Sequence, residues 1–143
     1  MSRVVPVTLT EFLLLVEYAQ KHHAEQNEPI PQVHPSQHEK IKACLDAPFQ
    51  TWDGRLLYQG FYTKAAVLFY LLCKNHPLTN GNKRMACITL GYFCKINNHP
   101  LQLEPTNFYN IAKIVTNSDP QFMEVVLDIL RKAFRNILNW SSL

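Results

Sequence analysis

The chain lacks any apolar run long enough to cross a bilayer. The longest, Ala65 to Cys73, is well short of the roughly 20 residues that a spanning helix needs. The opening stretch MSRVVPVTLTEF has neither a long apolar core nor a small-residue cleavage site, so no secretion signal is expected and the expected location is cytoplasmic. Charge of one sign is scarce as well. The formal net charge is +3, and the cations are scattered except at Lys83-Arg84, which excludes the basic stripe of a bulk nucleic-acid binder. The cysteines Cys44, Cys73, Cys87 and Cys94 form no C-x-x-C pair and read as reduced thiols serving as small core residues. Internal repeats, low-complexity tracts and interdomain linkers are missing too. What remains is an ordinary globular composition, 47% hydrophobic and 17% charged over 143 residues, which is enough to bury one core. The expected organisation is a single domain over residues 1–143.

Thr8-Leu9-Thr10-Glu11 reads as a capping box opening a helix with Phe12, Leu13, Val16 and Ala19 on one face. The stretch from Glu28 to Pro35 holds three prolines and is expected to be a loop. Ser36-Gln37-His38-Glu39 reads as a second capping box, for a shorter helix through Ile41, Cys44 and Leu45 that stops before Pro48. Asp53-Gly54 lies between two β-prone pieces and supplies the positive φ angles of a tight turn, so 49–59 reads as a small hairpin. Helices follow at about 62–75, 82–97, 106–117 and 120–139. Asp119 is the expected cap of the last one. Its apolar set of Phe122, Val125, Val126, Ile129, Leu130, Ala133, Ile137 and Leu138 predicts one long core-facing stripe. The fold class is mostly α with one hairpin.

The residues that carry chemistry cluster in KNHPLTNGNKRMACITLGYF, from Lys74 to Phe93. One helix ends near His76-Pro77, and the next begins near Asn82, with Met85, Ile88, Thr89, Tyr92, Phe93 and Ile96 at helical spacing. A helix N-terminus has unpartnered N–H groups and a positive dipole end, which together favour an anion. Gly81 permits close backbone approach, and Asn82 can cap the helix or donate a side-chain N–H. Lys83 and Arg84 add a point charge and a bidentate fork, the two complementary ways of holding phosphate. His76, on the opposite lip, can take a proton from a hydroxyl near neutral pH. The predicted site is a phosphate cradle facing a base, suited to group transfer from a nucleotide. The pair His34 and His38 has helical metal-ligand spacing, but Pro35 and the expected cap at Ser36 put His34 outside the helix.

His76-Pro77-Leu78-Thr79-Asn80-Gly81-Asn82-Lys83-Arg84 resembles the Fic/Doc signature H-P-F-x-[DE]-[GA]-N-[GK]-R. Lys83 resembles the death-on-curing (Doc) branch, whereas AMP-transferring Fic members carry glycine there and a further arginine at the position held here by Cys87. The likeness is close over about Ile41 to Leu103 and extends elsewhere in helix order alone. It implies a Fic-like bundle of about six helices with one small β-hairpin flap. It also implies transfer of the γ-phosphate of ATP to a hydroxyl of a protein of the translation elongation factor class. His76 matches the catalytic base, Gly81 and Asn82 the anion-binding loop, and Lys83 and Arg84 the groups that hold and neutralise phosphates. The hairpin, with Arg55, Leu56, Leu57 and Tyr58, matches the target-docking flap. Two positions depart from the pattern. Leu78 replaces the phenylalanine, and Asn80 replaces the acidic Mg²⁺ ligand; Mg²⁺ is still the implied cofactor beside ATP, with Asn80 a weaker metal ligand, because a neutral amide oxygen lacks the charge that a hard cation prefers. The alternatives are AMP transfer and a catalytically weakened binding module. No inhibitory [ST]-x-x-x-E-[GN] run occurs in the chain, which implies restraint by a separate antitoxin protein. Neither a membrane nor a nucleic acid is an expected partner.

Overall fold

The computed structural model describes residues 3–22, 29–99 and 105–140. Six α-helices are found there: α1 (Leu9–His22), α2 (His38–Asp46), α3 (Phe61–Lys74), α4 (Asn82–Ile96), α5 (Pro105–Asn117) and α6 (Met123–Trp140). Two short strands, β1 (Thr51–Trp52) and β2 (Arg55–Leu56), separate α2 from α3. The mostly α, Fic-like bundle with a small hairpin is therefore what the chain forms. No helix among the described residues is long and apolar enough to cross a membrane.

α3 is the axis of the bundle. Its sequence, FYTKAAVLFYLLCK, is apolar on nearly every side, as a helix surrounded by neighbours requires. It packs on α4, α5, α6 and α2. Phe61 stacks on Phe93 of α4 at 5.2 Å, and Phe69 meets Phe134 of α6 edge-on at 5.7 Å. α1 begins as expected. Thr8 N–H donates to Glu11 Oε1 at 2.9 Å and Glu11 N–H donates back to Thr8 Oγ1 at 3.1 Å. Phe12, Val16 and Ala19 face the core, and Tyr92 of α4 donates its hydroxyl to Glu11.

Two expectations are corrected. The Ser36–Glu39 capping box does not form, because a 3-10 turn over Pro35–Gln37 starts earlier and takes Ser36 inside it. Gln37 then stands at the N-cap of α2 without a capping side chain. The α6 stripe is also not all core-facing: Phe122, Val125 and Ile129 are exposed, while Leu130 and Phe134 are buried. At 100° per residue the apolar arc of α6 is wider than the face one helix can bury against a single layer. Phe122, in addition, belongs to a separate 3-10 turn, whose N-cap is Asp119 with its carboxylate accepting from Gln121 N–H at 3.0 Å. The side chain of Leu138 lies outside the described residues.

The hairpin is short and stands off the core. Thr51 pairs with Leu56 and Trp52 with Arg55 across a two-residue turn. Asp53 at φ 52° and Gly54 at φ 75° supply the left-handed pair that such a turn demands.

Candidate functional site

α3 ends where Asn75 N–H donates to Leu71 C=O at 2.9 Å, and His76 follows in the left-handed region at φ 45°. This position after a helix end usually goes to glycine, since a side chain there costs about 1–2 kcal/mol. Here an exposed imidazole occupies it, while Pro77 and Leu78 turn inward and are buried. Lys74 fastens the same end of α3 by donating to the C=O groups of Thr116 and Ser118 at the end of α5. The lip that carries His76 is therefore held from behind.

The opposite lip is the start of α4. Gly81 is its N-cap at φ 83°, with no side-chain cap, and the helical ladder begins with Met85 N–H on Gly81 C=O at 2.9 Å. The N–H groups of residues 82–84 therefore lie ahead of that ladder, at the positive end of the dipole. Asn82 closes the loop on itself. Its Oδ1 accepts from Leu78 N–H and its Nδ2 donates to Leu78 C=O, both at 2.9 Å. His76 stands two residues, at most about 7 Å of backbone, before Leu78, which is itself tied to the first residue of α4. Lys83 and Arg84 are half-buried in the first turn of α4, where the dipole disfavours cations and an anion would relieve them.

A proline-rich strap crosses this loop. Ile30 packs on Gly81 so closely that a Cβ there would sit 2.6 Å from Ile30 Cγ1. The close approach that Gly81 permits is therefore to the chain's own strap. Asn80 Nδ2 donates to Pro29 C=O at 3.2 Å, and Gln37 Nε2 donates to Thr79 Oγ1 at 3.2 Å. Gln20 of α1 holds the strap's other side through Ile30 C=O at 3.2 Å and Pro31 C=O at 3.1 Å. Sequence reading missed the strap because its partners are distant in the chain. The three closely spaced prolines, a stiff segment too costly to leave without purpose, were the available signal.

The structure brings His76, Asn80, Gly81, Asn82, Lys83 and Arg84 into one loop and helix start after α3, and the hairpin precedes α3. Arg55, Leu56 and Leu57 are exposed and Tyr58 half-buried, just before α3, while His76 lies just after it. The 14 residues of α3 separate its ends by about 20 Å. The base of the hairpin is pinned by Lys64, a buried residue whose Nζ donates to Tyr58 C=O at 2.6 Å. Burial lowers the Lys64 pKa. Lys64→Met is expected to leave stability within about 1 kcal/mol of wild type, because relief of desolvation offsets the lost bond. Amide exchange in residues 51–58 should nevertheless accelerate, and hydrogen-exchange mass spectrometry checks both halves. A shallow cleft of about 300 Å³ lined by Leu14, Glu17, Tyr18, Lys21 and His22 lies on the outer face of α1 and includes no residue of the loop.

The mostly α bundle with its small hairpin, and the loop that carries His76 directly before α4, are those of a Fic-fold protein, a class whose members are in general protein-modifying transferases. The chain belongs to the Fic/DOC family, whose family model matches residues 8–94, from the α1 capping box almost to the end of α4. No curated protein and no solved structure gives a significant match to the chain.

Proposed function

We propose that this protein is a Doc-type toxin that transfers the γ-phosphate of ATP to a hydroxyl of a protein target of the translation elongation factor class, in the cytoplasm, under restraint by a cognate antitoxin. The observation that carries this reading is His76 held at φ 45°, an imidazole kept exposed in a conformation that glycine would adopt at lower cost. In the reaction, His76 accepts the hydroxyl proton as the new O–P bond forms. The bond from the γ-phosphorus to its bridging oxygen breaks, and ADP leaves with the electron pair. Lys83 and Arg84, with the N–H groups at the start of α4, neutralise the phosphate charge. Lys83 and Cys87 favour phosphate over AMP transfer, since AMP-transferring relatives carry glycine and arginine there. The exposed hairpin residues Arg55, Leu56 and Leu57 would dock the target.

The residues present do not fit a protein-held Mg²⁺. Position 80 offers only a neutral amide oxygen, with its Nδ2 donating to Pro29 C=O, and the described residues contain no group of three His, Cys, Asp or Glu side chains placed to hold a metal ion. Charge compensation is accordingly assigned to Lys83, Arg84 and the α4 N-terminus.

The test is to incubate the purified protein with bacterial lysate and ATP labelled at the α or the γ position, with and without Mg²⁺. Protein label from γ alone, absent in His76→Ala, is the expected result. Label from α would instead mean AMP transfer. No label from either position, with nucleotide still bound, would leave a binding module, the reading that Asn80 favours.

A further inference from the structure

We propose that Asn80 is a positioning residue whose amide N–H latches the strap of residues 29–37 onto the signature loop, a task that a carboxylate at this position could not perform. The loop is held by three consecutive residues. Thr79 accepts from Gln37 Nε2, Asn80 donates to Pro29 C=O, and Gly81 receives the side chain of Ile30. The strap is itself braced, by Gln20 on the C=O groups of Ile30 and Pro31 and by Gln37 Oε1 accepting from His34 N–H at 2.9 Å. The side chains that make these hydrogen bonds are amides and a hydroxyl, while the His34 side chain accepts from the Gln37 backbone within the strap. The prolines at 29, 31 and 35 fix φ and let a few contacts hold the whole segment.

The donor at position 80 is the part that chemistry singles out. Pro29 presents a carbonyl, which can only accept, and an ionised aspartate can only accept as well. Asn80→Asp would thus place two acceptors face to face where a bond now stands at 3.2 Å. Because Gly81 is both the strap's seat and the N-cap of α4, lifting the strap would loosen the helix start itself. The amide therefore trades an ionised metal ligand for a rigid loop. The functional meaning of this trade rests on the phosphate-site reading above, whereas the latch is a property of the protein without nucleotide.

The latch is tested by NMR on the full chain, from the nuclear Overhauser effect between Gly81 Hα and the Ile30 side chain. The Phe61–Phe93 contact serves as the internal control for an intact fold. In wild type the Gly81–Ile30 signal should be strong and equal at pH 7 and pH 4. In Asn80→Asp it should weaken several-fold at pH 7 and recover in part at pH 4, at the aspartic acid pKa of about 4, where about half of the carboxyl is protonated and regains a donor. In Asn80→Ala it should be weak at both pH values. The other titratable and charged groups around the latch are His22 of α1, His34 on the strap, His38 of α2, His76 on the loop, and Lys83 and Arg84. All are the same in wild type, which controls for them. An Asn80→Asp signal unchanged at pH 7, or lost and not recovered at pH 4, overturns the latch whatever the labelling result. A failure of phosphate transfer leaves it standing.

Discussion

Gly81→Ala is expected to lower stability by about 3 kcal/mol, and the melting temperature by about 10 °C, from two separable causes. The first is conformational. Gly81 sits at φ 83°, where an alanine Cβ costs about 1 kcal/mol or more. The second is steric. The new Cβ would lie 2.6 Å from Ile30 Cγ1, and that atom is near the root of its side chain, so it cannot swing aside cheaply. Overpacking of this kind costs about 1–3 kcal/mol. A double-mutant cycle separates the two. In an Ile30→Ala background the steric part disappears, and Gly81→Ala should cost about 1 kcal/mol. Urea unfolding of the four proteins gives the answer, and an equal cost in both backgrounds would rule out the clash.

The second large effect is alkaline unfolding driven by buried thiols. Burial pushes the Cys73 and Cys94 thiols up from 9.0 to about 12, with the neighbouring Cys87 thiol adding to the shift at Cys73. These are acids whose folded pKa exceeds the unfolded one. Their contribution is therefore complete below pH 9 and is lost as pH rises toward 12, because the unfolded chain sheds its thiol protons first. Three pH units at about 1.4 kcal/mol each come to about 4 kcal/mol per thiol, and two such groups approach the whole stability of a typical domain. Lys64, whose pKa is lowered, works in the opposite sense, adding stability as pH approaches 10.5. Urea unfolding at pH 8, 10 and 11 under a thiol reductant should show a steep decline in wild type and a flattened one in Cys73→Ala/Cys94→Ala. Parallel declines in the two proteins would assign the alkaline loss to other groups.

Legibility in the sequence followed the distance over which each feature is decided. The Thr8–Glu11 box and the Asp53-Gly54 turn were readable because their physics closes within four residues. The limits of α3 and α4 were readable to within a residue, since Pro77 and Gly81 interrupt helical periodicity on either side of the loop. Ser36 misled because a turn begun one residue earlier, at Pro35, is invisible to a motif scan. The α6 stripe misled because periodicity reports an apolar arc but not how much of it a neighbour covers. In the signature loop, the helix start at Asn82 was legible and the hydrogen-bond partners of its side chains were not. Asn82 has both side-chain polar groups on Leu78, and Asn80 is turned to Pro29, 51 positions away. No local pattern announces a partner at that separation.

α3 also sets a length. If the hairpin docks the target as proposed, the docked segment lies before α3 and the base His76 after it, at the two ends of one helix. A stretched peptide covers about 20 Å in roughly six residues. On that proposed reading, the length of α3 would enter the choice of acceptor site alongside the residues that surround it.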